Sequence, residues 1–211
     1  MENGEKNAKK NPFVRAIYEV LPHIPKNRAN KSIRKKIDSI GSMLPYEDDL
    51  SVLKGFNSPE RVEIDLLKGM LEDNKHRMER LEDKAKVQIA GITIAISIMF
   101  GVAGNLKEIS RDSACFKWVA FAVLVVSVIY MFSSGLEAIN LLTNKNVFYY
   151  PPYNISEQTD EETRKSYNAV IAKNQLQNTI RNNEISTSYA LMRNAIFLLI
   201  LVFVAWTIPI G

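Results

Sequence analysis

The sequence predicts an all-α membrane protein: three transmembrane helices, two of them continuing into long cytoplasmic stalk helices, and a small helical head at the N-terminus. Three observations predict it. Charge stops after Lys86 and resumes at Lys107, so Val87 to Leu106 supplies twenty uncharged residues. A hydrocarbon core about 30 Å thick needs roughly that many in a helix. The pattern recurs from Trp118 to Leu136, between Lys117 and Glu137, and again after Arg193 in "NAIFLLILVFVAWTIPIG". None of the three runs carries the polar stripe expected of a helix in a soluble bundle.

Whole-chain composition conceals this layout. With 27 Lys and Arg against 23 Asp and Glu in 211 residues, a net charge of +4 averages long polar arms with three apolar spans. The head, residues 1–57, has no apolar core of signal-peptide type, so its N-terminus is expected to stay in the cytoplasm. Its first helix opens at Asn11 and Pro12, sets Phe13, Ile17 and Leu21 on one face, and is closed by Pro22 and Pro25. A second, "NKSIRKKIDSIGSML", collects Ile33, Ile37, Ile40 and Leu44 on one side. Its Arg34, Lys35 and Lys36 fall largely elsewhere, leaving three readings: contact with anionic lipid, contact with a phosphorylated ligand, or docking of the apolar face on the chain's own stalk. Residues 44–57 read as a linker with an acidic patch.

The first stalk, 58–86, begins where Ser58 can cap a helix and Pro59 suits its first turn. Ile64, Leu67, Leu71, Met78, Leu81 and Ala85 keep heptad spacing, interrupted at Asn74, as in a coiled-coil seam. The seam is expected to set assembly into a homo-oligomer or packing on a neighbouring stalk. At about 1.5 Å per residue this stalk is roughly 40 Å long. Transmembrane segment one, 87–106, carries Gly91, Ala95, Ser97 and Gly101, small residues that let helices approach closely. Thr93, Ser97 and Ser127 are candidates for a weakly polar path through an oligomer.

An external loop, 107–117, leads to transmembrane segment two, 118–136, where Ser133, Ser134 and Gly135 continue the small-residue theme. The connector, 137–159, holds Pro151 and Pro152, which stop a helix and favour extended chain. About fifteen extended residues span roughly 50 Å, enough to run down a stalk. Phe148, Tyr149, Tyr150 and Tyr153 are expected to pack on that stalk or sit at lipid headgroups. The second stalk, 160–189, has acids in its first turn and an Asn-rich stripe through Ala172, Leu176, Ile180, Asn183 and Thr187. Segment three, 190–211, completes the chain read here. With the N-terminus inside, 24 of the 27 Lys and Arg lie on the cytoplasmic side, as the positive-inside rule asks, and the C-terminus is external. The only cysteine, Cys115, lies near the outer face.

Catalytic chemistry is not expected. The sequence has no Walker-type loop, GxSxG, HExxH or CxxC, and His23 and His76 have no evident partner. No metal or cofactor is implied, and nothing points to nucleic acid. Stalk carboxylates such as Glu72, Asp73, Glu79, Glu82 and Asp83 read as a solvated face. The spans lack the ionisable groups of an ion-coupled carrier.

A small head, a charged helix ending "RLEDKAKVQIAGITIAIS" with its "DKAK" entry into a span, a hydrophobic hairpin and a final helix with a span make up the chain. From about residue 60 to 211 this layout resembles the small multi-span membrane effectors of bacterial antiviral defence, those tied to cyclic-nucleotide, CRISPR or related signalling. The resemblance implies an inner-membrane protein, quiet until a cytoplasmic protein or signal molecule reorganises it, which then permeabilises the membrane. It carries over no ligand-binding residue. The expected function is therefore an oligomeric, pore-forming or membrane-perturbing effector acting among membrane lipids. The alternative is a membrane-anchored adaptor that recruits a cytoplasmic partner and conducts nothing.

Overall fold

The computed structural model describes residues 12–42, 63–105, 114–143, 147–148 and 159–207. Among them lie five α-helices and no strand. Helix α1, Pro12–Val20, opens on a proline, whose fixed φ suits the first helical position, and ends before Pro22. Helix α2, His23–Ser42, starts earlier than the expected Asn30 and takes Pro25 into its own first turn. A first-turn residue has no intrahelical partner for its N–H, so a proline there breaks no bond. Pro25 thus helps open α2 and does not close α1.

The three long helices are α3, Ile64–Asn105, α4, Ala114–Thr143, and α5, Asp160–Thr207. All three are long and apolar enough to cross a membrane. In each, between 22% and 28% of the most apolar window is buried within the chain. Phe100, Trp118, Phe132 and Phe197 are each more than 60% exposed, a surface that water penalises and lipid accepts. The chain is a membrane protein by this pattern. Expectations for Ser58 and Pro59, the 44–57 linker, the loop before Ala114, Pro151, Pro152, Tyr149, Tyr150 and Tyr153 lie outside the described residues.

The chain divides into two compact units. The polar unit comprises Asn27–Asp83 and Asn144–Asn183. Its core gathers Ile40 of α2, Leu67 of α3 and Tyr167, Ile171 and Ala172 of α5. Here α3 and α5 run parallel, because Leu67 shares a cluster with Ile171 while, further along both, Asn178 Nδ2 donates to the Asn74 carbonyl at 2.9 Å. Ile37 and Ile40 of α2 are buried, and Asn183 donates to Asn30 Oδ1 at 2.8 Å. In this arrangement α2 turns its apolar face inward, and Arg34, Lys35 and Lys36 are exposed.

The apolar unit comprises Met1–Lys26, Lys84–Thr143 and Glu184–Gly211. Ile92 and Met99 of α3, Met131 of α4 and Ala195 of α5 form its core, with Ala95, Met192 and Leu199 packed on it. Ser134 of α4 and Ser188 of α5 exchange bonds: each hydroxyl donates to the other's carbonyl, at 2.7 and 2.8 Å. Only small side chains let two helix backbones come this close. Gln88 Nε2 adds a longer contact of 3.4 Å to the Ser134 hydroxyl, satisfying a buried amide.

Candidate functional site

Glu137 is the one acidic residue of the apolar helix α4. It follows the uncharged run that ends at Leu136, within the candidate spanning helix, and is 5% exposed. A buried carboxylate is costly unless charge and hydrogen bonds compensate it. Glu137 is compensated twice. Lys26 Nζ donates to both of its oxygens at 2.6 Å, and His23 Nδ1 donates to Oε1 at 2.8 Å. His23 and Lys26 are three apart, on one face of the first turn of α2. That turn is also the positive end of the α2 dipole, which favours an anion.

The same unit seats α1. Its last carbonyls have no intrahelical donor. Glu19 O accepts from Asn194 Nδ2 at 2.8 Å, and Val20 O accepts from the Tyr130 hydroxyl at 3.0 Å. Side chains of α4 and α5 thus cap α1, and the ion cluster fixes the chain that follows it. Phe13, Val20 and Leu21 are left exposed. Chemically the arrangement is a clasp, holding the N-terminal segment on two candidate spans.

The sequence reading left His23 and His76 without partners, and the structure corrects both. His76 Nδ1 lies 3.2 Å from Glu79 and its Nε2 3.7 Å from Glu72. The His23 partner is 114 residues away, beyond the reach of local spacing. Two signals pointed toward it: the His23, Lys26 pair on one helical turn, and the return of apolar residues after Glu137 at Ala138, Ile139 and Leu141.

The expected seam residues face the interior of the polar unit. Leu67, Asn74 and Leu81 are buried, while Ile64, Leu71 and Met78 are half-buried. Asn74 Nδ2 donates to its own helix at Met70 O, 2.9 Å away. The four small residues of α3 divide. A side chain at Gly91 would meet Met192 Cε at 3.5 Å, and Ala95 packs on the core of its unit. Ser97 and Gly101 are exposed, with nothing within 4 Å of a Cβ at Gly101. Thr93, also exposed, donates to Ile89 O and Ser97 to Thr93 O, whereas Ser127 is buried.

Among the described residues, no three His, Cys, Asp or Glu side chains gather to hold a metal. Comparison with protein-family models, curated proteins and solved structures finds no match for the chain.

Proposed function

We propose that the protein is an oligomeric effector of the bacterial inner membrane that permeabilises it when activated through its cytoplasmic region, as in antiviral defence. The observation that carries this reading is the exposed line Thr93, Ser97, Gly101 on α3. Four-residue spacing puts the three on one face, where small side chains let a second helix approach closely. The two hydroxyls are already bonded within α3, so apposition leaves no polar group unsatisfied. The clasp supplies the resting state: Glu137 cannot shed Lys26 and His23 without leaving a buried charge unpaired. In this reading the N-terminus is cytoplasmic and the C-terminus external.

The test is membrane potential in living bacteria, read with a voltage-sensitive dye after induced expression, alone and with the neighbouring genes. A Ser97→Leu, Gly101→Leu double variant has open space for its new side chains and is expected to fold, reach the membrane and lose depolarisation. Equal depolarisation by variant and wild type, or a polarised membrane under every condition, overturns the proposal. The adaptor reading draws on the exposed Arg34, Lys35 and Lys36. It expects activity to survive replacement of the spans.

A further inference from the structure

Helix α1 carries different chemistry on its two flanks. Val20 and Phe13 lie seven residues apart, on one side of the helix, and are 52% and 71% exposed. Arg15 and Glu19 lie on another side, exposed and joined by an ion pair of 3.4 Å. Val14, Ile17 and Tyr18 are half-buried and form the strip that faces the rest of the chain. With 3.6 residues per turn this packed strip falls between the other two. One free flank of α1 is therefore apolar, and the other is charged.

The last two carbonyls of α1 fix its level along the candidate spans. Asn194, which donates to Glu19 O, stands at the start of the third apolar run, directly after Arg193. Tyr130, which donates to Val20 O, lies six residues before the end of the second run at Leu136, a depth of about 9 Å. A tyrosine suits that depth, because its ring is apolar and its hydroxyl is not. Both bonds hold the end of α1 where charge gives way to apolar side chains, and the Glu137–Lys26 pair lies on the polar side of that edge. Exposed apolar surface begins beside the same two residues, at Ile129 and Phe132 of α4 and Ile196 and Phe197 of α5. An amphipathic helix at this level sinks its apolar flank about 5–10 Å into the boundary of headgroups and acyl chains, and turns its charges to water.

We propose that α1 is a lipid-contact element, an interfacial helix whose Phe13 and Val20 enter the bilayer surface while Arg15 and Glu19 face water. The partner is the lipid surface itself, and the inference holds whichever way the spans are oriented and whether or not they assemble. The test uses the full-length protein in nanodiscs of phosphatidylethanolamine and phosphatidylglycerol, with Cys115→Ser as background. Nitroxide labels are placed one at a time through Phe13→Cys, Arg15→Cys, Glu19→Cys and Val20→Cys, all at exposed positions where a new side chain disturbs no core. Power-saturation EPR compares collisions with oxygen, which concentrates in lipid, and with a water-soluble nickel chelate. Labels at 13 and 20 are expected to favour oxygen and those at 15 and 19 the chelate, a change of sign around one helix. Phe132→Cys, on the exposed face of α4, is the lipid reference; a chelate-favouring label there would remove the membrane reading and the inference with it. With that reference favouring oxygen, chelate-favouring labels at 13 and 20 overturn the proposal alone. Exclusion of both reagents from 13 and 20, with dipolar broadening between labels, would put a second copy on this flank and overturn it equally.

Discussion

Glu137 and Lys26 contribute to stability unequally depending on how they are removed. Their side chains are 7% and 9% exposed, so the pair sits where Coulomb attraction is strong and desolvation is costly. Lys26→Met leaves the carboxylate with His23 alone, and the expected loss is about 3 kcal/mol, measured by unfolding in micelles. Adding Glu137→Leu is expected to recover most of that loss, since no charge is then stranded. A double variant as unstable as the single one would mean that packing, and not charge, carries the contact. The sequence marked Glu137 as the charge that ends the uncharged run 118–136. It did not reveal the partners, because pairing across 111 residues depends on where α2 begins.

At the scale of elements, α5 starts on a reciprocal cap. Thr159 N–H donates to Glu162 Oε2 at 2.9 Å, and Glu162 N–H donates to Thr159 Oγ1 at 3.3 Å. The backbone N–H of Thr159 first, and its hydroxyl second, hold the Glu162 carboxyl below the ordinary glutamate range. A lowered folded-state value means the cap is fully present above the ordinary range and is lost as pH falls through the lowered one. Amide protection in the first turn of α5 is expected to follow that course, and Glu162→Gln to flatten it; an unchanged profile would remove the cap from the account. The polar unit depends instead on apolar burial. Leu67 is fully buried between α2, α3 and α5, and Leu67→Ala is expected to lower stability by about 2–5 kcal/mol in denaturant titration. A change under about 1 kcal/mol would show that the site collapses around the missing atoms. Heptad spacing made the α3 seam legible, since apolar residues at three and four must share a face. It could not name the helix opposite, and within the polar unit that helix is α5 of the same chain.

For the whole molecule, the proposed orientation makes Cys115 a reporter, because it is the only thiol in the chain. A membrane-impermeant maleimide is expected to label it from outside in intact spheroplasts; labelling only after permeabilisation would invert the orientation. The sequence by itself determined the helical class and the three apolar runs, because each follows from local composition and period. Twenty uncharged residues need no partner to be read as apolar. Tertiary structure alone decided that α1 is capped by Asn194 and Tyr130, that His23 and Lys26 enclose Glu137, and that Ser97 and Gly101 face outward while Gly91 and Ala95 face in. The physical reason is the same in each case: a helix fixes which residues share a face, but the rotation of one helix against another is set by side chains distant in sequence, through contacts that local spacing does not encode.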